Sequence, residues 1–151
     1  MATQSTSIMI NASPEAIWSV LADFPAIATW VPLIQHSSML SDQTSGVGAM
    51  RRVQIAQQTL VETVTIWEPL ERLAYSIEGM PPIVGVATNT WTLEPTSRGV
   101  LVTLTTDIPT RWNPLQRFAA TKALERMKIA AGLMTTGLRA ATSTSPQGGV
   151  S

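Results

Sequence analysis

An acid at an inward strand position, a base on the strand before it and a phenol on the strand after it are the residues of this chain best placed to do chemistry. In the run Thr59 to Trp67, Leu60, Glu62, Val64 and Ile66 fall on one face; Val61, Thr63, Thr65 and Trp67 fall on the other. The apolar neighbours make the first face the inward one, so Glu62 is desolvated unless it is paired or wet. Arg51 falls at the matching phase of the preceding strand, one diagonal away, and Tyr75 lies across the following hairpin. Such a cluster in an apolar hollow can anchor the polar end of a ligand, or hold or move a proton on a bound substrate. It equally fits an internal ion pair that serves the fold alone.

The other chemistries have little material. His36 is the single histidine, and Ser37 and Ser38 beside it are sequence neighbours rather than a positioned triad. With no cysteine and no carboxylates at ligand spacing, no metal set is expected, and no cofactor. Gly46-Val47-Gly48 is followed by neither Lys-Ser/Thr nor a helix, so it is not a phosphate loop. Ten basic and ten acidic residues cancel, and no basic block with interleaved aromatics appears, so no nucleic-acid partner is expected. No stretch approaches the roughly 20 apolar residues of an integral membrane segment. The first residues, MATQSTSIMINA, lack the basic and apolar regions of a signal peptide, and a cytoplasmic location is expected by default.

These residues need elements to position them. With 151 residues, 44% of them hydrophobic and 13% charged, the chain fits one domain with a generous interior. Ile8 and Ile10 share one face of a strand expected from about Thr6 to Ala12. Ser13-Pro14 is a cap followed by a proline suited to the first helical position, and Ile17, Val20 and Leu21 form the stripe of a helix to Ala22. Asp23 and Pro25 restart a short helix that closes near Trp30. Strands are expected at Leu33–Leu40, Ala49–Ala56, Thr59–Trp67, Arg72–Glu78, Val84–Glu94 and Val100–Ile108, where β-branched residues are dense. Folding the hairpin about Glu68-Pro69-Leu70-Glu71 sets Ile66 opposite Leu73, Val64 opposite Tyr75 and Glu62 opposite Ile77. Asn113-Pro114 starts a helix running to about Ala141, in which Ala120, Leu124, Met127, Ala131, Met134 and Leu138 share a face. The domain is expected over residues 1–141, with a small, polar, disordered tail over 142–151.

The order of elements resembles the helix-grip fold of the START-like, or SRPBCC, superfamily. The resemblance rests on Ile8-x-Ile10-x-Ala12-Ser13-Pro14-Glu15-x-x-Trp18, Trp30-x-Pro32, Gly46-x-Gly48 before a strand, Glu68-Pro69 in a hairpin turn, and Leu93-Glu94-Pro95 followed by Gly99. It implies an α+β architecture: a seven-stranded curved antiparallel sheet wrapped around a long C-terminal helix, with two short helices after the first strand. The superfamily includes polyketide cyclase/dehydrase proteins, lipid-transfer domains, the birch pollen allergen family and plant abscisic-acid receptors. In receptors of this fold an inward acid and an inward base hold ligand through water. Glu62 resembles the acid; Gln35 falls near the base, where a lysine is familiar, and carries no charge. Gln57-Gln58 and Gly79-Met80-Pro81-Pro82 fall where mouth loops sit but lack the receptors' gating motif, so hormone reception does not transfer.

A small, largely apolar ligand in an internal cavity, with a carrier or sensor role, is the leading expectation. An enzyme of the cyclase, aromatase or dehydratase type acting through Glu62, Tyr75 or Arg51 is the first alternative, and a protein-interaction module is the second. The residues expected to touch ligand are Trp30, Gln35, Arg51, Val53, Glu62, Val64, Tyr75, Ile77, Met80, Thr88, Leu104, Leu124, Met127 and Met134. Flexible methionines suit a pocket that accepts variable apolar shapes. Trp67 and Trp91 fall on the outward phase in this register, where they would offer a homodimer surface; a one-residue slip would bring either inside.

Overall fold

Alternating burial along β1, Ala2–Ile10, begins the fold, and the strand is four residues longer at its start than the sequence pattern suggests. The computed structural model describes residues 1–144. Ser13 then caps α1, Pro14–Ala22, its hydroxyl oxygen accepting from the Ala16 amide at 3.1 Å. Asp23 breaks that helix, and Phe24–Thr29 follows as a 3₁₀ turn, tighter than the α-helix and suited to a short piece with Pro25 near its start.

The remaining strands are β2 (His36–Met39), β3 (Met50–Ile55), β4 (Gln58–Glu68), β5 (Arg72–Glu78), β6 (Ala87–Thr96) and β7 (Gly99–Ile108). They form one antiparallel sheet in the order β1-β7-β6-β5-β4-β3-β2. The sheet is curved and open. The last element, α2 (Pro114–Thr144), packs on β1, β7 and α1. Asn113 caps it, its side-chain oxygen accepting from the Leu115 amide at 2.9 Å. A close approach fixes the helix against the segment after the 3₁₀ turn: a Cβ on Gly137 would collide with the Trp30 carbonyl oxygen.

Several expectations are corrected. β2 covers only half of Leu33–Leu40, because residues before it form turns closed by Ile34 N–H donating to the Val31 carbonyl at 3.0 Å. β6 starts at Ala87 rather than Val84, because Pro81 opens a turn whose carbonyl accepts from the Val84 amide at 2.8 Å. Val64 pairs with Tyr75 and Glu62 with Ile77 as expected, but a bulge between Val64 and Ile66 sets Ile66 opposite Ala74 and Trp67 opposite Leu73. The extra residue reverses the phase beyond it. Trp67 therefore meets Trp18 of α1 edge-on at 5.4 Å and is partly buried. On β6 the buried residues are Ala87, Asn89, Trp91 and Leu93, so Trp91 is internal and Thr88 belongs to the outer phase. The last helix also runs further than expected: α2 continues through Ala141 to Thr144, with Thr142 buried, and residues 145–151 of the expected tail lie outside the described residues.

Candidate functional site

The interior is divided. Toward α1 and the 3₁₀ turn it is filled by rings: Phe24 meets Tyr75 edge-on at 5.8 Å, and Trp30 meets Trp91 at 6.0 Å. Toward the other end of the sheet it is hollow, with a cavity of about 460 Å³. Strands supply Ile55, Leu60, Glu62, Ile77, Asn89, Leu104 and Thr106 to its wall. The segments after the 3₁₀ turn and after β5 supply Val31, Ile34, Met80 and Ile83. The helix supplies Ala119, Ala123, Met127, Ala130, Ala131 and Met134, and small alanines on this face hold α2 off the sheet. Exposed Gln58, Pro81, Lys122 and Arg126 stand where the cavity opens.

Glu62 sits on the boundary between the filled and hollow halves. Arg51 pairs with it directly across the β3–β4 ladder, and Arg51 Nε donates to Glu62 Oε1 at 2.7 Å. A second guanidinium nitrogen donates to the Phe24 carbonyl at 2.9 Å. The guanidinium carbon lies 3.7 Å from the Phe24 ring centroid and 4.8 Å from that of Tyr75, so the cation is held by π faces as well as by the carboxylate. The ion pair engages Oε1 of the Glu62 carboxylate, and Glu62 is also part of the cavity wall. Beside it, Asn89 and Thr106 add a second polar pair to the wall, the Thr106 hydroxyl donating to Asn89 Oδ1 at 2.7 Å.

Tyr75 is wholly buried, and its hydroxyl accepts from the Trp91 indole N–H at 3.2 Å. Burial, reinforced by the negative charge of Glu62, raises its pKa above the ordinary 10.0 of a phenol, so it stays protonated. It is a neutral hydroxyl held in place, not an available base.

Of the fourteen residues expected to touch ligand, Glu62, Ile77, Met80, Leu104, Met127 and Met134 line the cavity. Arg51, Val53, Val64, Tyr75 and Leu124 are buried but behind or beside it. Three are misplaced. Gln35 is exposed and contributes only its backbone, donating to the Gln54 carbonyl at 2.8 Å, while its neighbour Ile34 faces the cavity. Thr88 falls on the outer phase because β6 is one residue out of the expected register, which is also why Asn89 was missed. Trp30 borders a shallow groove between α1 and α2 instead, with its indole nitrogen enclosed and unpartnered. The strict recurrence of threonine at 88, 90 and 92 was the available signal, since it marks one hydroxyl-covered outer face. Lys122 and Arg126 were also missed; their four-residue spacing places them on one face, but periodicity does not locate an opening. His36 is exposed at the start of β2. Among the described residues no group of three or more His, Cys, Asp or Glu side chains could hold a metal ion, and no helix is long and apolar enough to cross a membrane.

A curved sheet closed by one helix over an apolar cavity defines a hydrophobic-ligand-binding fold of the helix-grip type. The family model described as polyketide cyclase / dehydrase and lipid transport matches residues 1–142, and the chain belongs to that family. Solved structures agree on the fold. The Zhui aromatase/cyclase from Streptomyces sp. R1128 superposes with a TM-score of 0.79 at 20% identity, covering 99% of each chain. A protein from Nitrosospira multiformis gives 0.75 at 22% identity, covering 95% of this chain and 97% of that one. Ara h 8.0201 gives 0.71 at 14% identity, covering 95% and 99%. A search of curated proteins finds no relative.

Proposed function

We propose that the protein carries a small, largely apolar molecule in the cavity between α2 and the sheet, with a hydrogen-bond donor at the molecule's inner end held by Glu62. The observation that supports this most is the position of the Glu62 carboxylate. Arg51 engages one of its oxygens, while Glu62 itself lines an otherwise mainly apolar space that also presents Asn89 and Thr106. A pocket of a few hundred Å³ with a few convergent polar groups suits a hydroxylated or phenolic apolar compound. A carrier is preferred because the residues around Glu62 are already satisfied by one another, and the buried Tyr75 is committed to Trp91.

The second reading is a cyclase, aromatase or dehydratase. Glu62 supports it, because a carboxylate in the cavity wall can accept a proton from a bound substrate. A homodimer through Trp67 or Trp91 has little support: Trp91 is internal and Trp67 is partly covered by Trp18. Cytoplasmic residence remains part of the proposal.

Native mass spectrometry of the purified protein, looking for a co-purified small molecule, addresses the ligand directly. Binding of the apolar probe N-phenyl-1-naphthylamine addresses the cavity. Glu62→Gln should weaken retention of a co-purified hydroxylated ligand about ten- to hundredfold, as expected for losing a charge-assisted hydrogen bond of about 1.5–3 kcal/mol. Ala123→Phe should block both ligand and probe by filling the space. Unchanged retention in a folded Glu62→Gln protein would assign Glu62 to the fold alone. Conversion of a polyketide-like substrate by wild type but not Glu62→Gln would favour the enzyme.

A further inference from the structure

The charges of this neutral chain are sorted. Between residues 111 and 139 stand Arg111, Arg117, Lys122, Arg126, Lys128 and Arg139 against the single acid Glu125, so six of the ten basic residues lie on α2 and the turn before it with one of the ten acids. The same segment carries unusually exposed apolar side chains: Trp112 at 93%, Ile129 at 71%, Leu115 at 68% and Phe118 at 63%. The helical period organises them. Leu115, Phe118, Lys122, Arg126, Ile129 and Leu133 follow at spacings of three and four and share one stripe. Arg117, Lys128 and Arg139 recur every eleven residues, about three turns, and form a row along the far edge of the exposed surface.

This stripe borders the cavity opening. Lys122 and Arg126 belong to both. The first turn of α2 is tied to the loop on the other side of the opening, since the buried Gln116 side chain donates to the Val84 carbonyl at 3.5 Å and the Pro109 carbonyl at 3.0 Å. That loop adds exposed Ile83 and Val86. Apolar tips therefore project around the opening with cations beside them. Lys122 is held only loosely, by an exposed Glu125 at 3.4 Å and the Phe118 ring at 5.6 Å, and among the described residues Arg126 has no ion pair.

We propose that this face docks on an anionic phospholipid bilayer and brings the cavity opening to the lipid surface. Projecting apolar tips flanked by cations suit a soft phase into which they insert by roughly 5–10 Å, with the cations at the headgroups. A protein partner would instead need preformed pockets matching each tip. The helix is too polar to span a bilayer, so the contact is interfacial.

Co-sedimentation of the full chain with vesicles tests it. Vesicles of phosphatidylglycerol should bind at least tenfold more protein than vesicles of phosphatidylcholine at about 0.1 M salt. The difference should collapse at about 1 M, where the Debye length falls from about 10 Å to about 3 Å. Trp112→Asp combined with Leu115→Asp, and separately Arg117→Glu combined with Lys128→Glu, should each lower binding to phosphatidylglycerol at least tenfold. Both replace exposed side chains outside the cavity, so uptake of N-phenyl-1-naphthylamine should persist. Loss of probe uptake by the wild type would thus fail the cavity reading without touching this one. Equal binding to both lipids, binding to neither, or full binding by both variants would overturn the proposal. So would retention by polyglutamate with no vesicle binding, which would assign the face to an acidic protein.

Discussion

Arg51 is 2% exposed, and its charge is neutralised within the fold by one carboxylate. Truncating Glu62 strands that cation among rings, so Glu62→Ala should cost about 3–5 kcal/mol, whereas Arg51→Met combined with Glu62→Leu should be near neutral. Urea denaturation of the three proteins checks this; a loss under about 1 kcal/mol in Glu62→Ala would show that the cation finds water. Tyr75 makes a different prediction. Tyr75→Phe leaves the Trp91 indole N–H unpaired, at about 1–3 kcal/mol. The phenol's pKa is raised on folding, so the folded state favours its protonated form. Its contribution is fully present below the unfolded value of 10.0 and declines as pH rises through the higher folded value. The stability advantage of wild type over Tyr75→Phe should therefore be constant below pH 10.0 and shrink above it. An advantage that grows on the alkaline side would contradict the burial of the phenol.

At the scale of elements, two helical glycines make a controlled comparison. Alanine ordinarily improves a helix by about 1 kcal/mol over glycine. A Cβ on Gly132 meets nothing within 4 Å, so Gly132→Ala should raise the denaturation midpoint. A Cβ on Gly137 meets the Trp30 carbonyl, which is backbone and cannot swing away, so Gly137→Ala should lower the midpoint despite the better propensity. If both substitutions stabilise, α2 is free to slide off the segment after the 3₁₀ turn. The same scale shows what could be read in advance. The cap-plus-proline starts at Ser13-Pro14 and Asn113-Pro114 and the alternation around Glu62 are local, and the structure keeps them. Trp67 could not be placed, because a bulge has no fixed sequence mark yet reverses every side chain beyond it. The family resemblance points to Gln35, whereas the turn that closes at Ile34 decides which neighbour faces inward. The division of the interior into a ring-filled end and a hollow end depends on where α2 crosses the sheet, a tertiary matter that strand phase alone leaves open.

Across the whole molecule, the opening and the hairpin turn of β4 and β5 should respond differently to ligand. The loop after β5 carries Met80, Pro81 and Ile83 on the cavity wall. The turn at Glu68–Arg72 contributes nothing to it and is held by its own Arg72–Glu68 ion pair at 2.9 Å. Occupancy of the cavity by N-phenyl-1-naphthylamine should slow amide exchange at Gly79, Met80 and Ile83 and leave Glu68 to Arg72 unchanged. Equal slowing at both ends would mean a general tightening instead of contact at the opening. The pairing of β1 with β7 has a consequence in time. These strands join positions roughly a hundred residues apart, and among the described residues β1 has no other ladder partner. At a synthesis rate of about 5–20 residues per second, β1 leaves the ribosome roughly 5–20 s before β7 exists to receive it. Throughout that interval Ile8 and Ile10 are an apolar strand without a sheet, so nascent chains arrested before Gly99 should be captured by holdase chaperones, and chains released only after α2 is complete, which covers β1, should escape them.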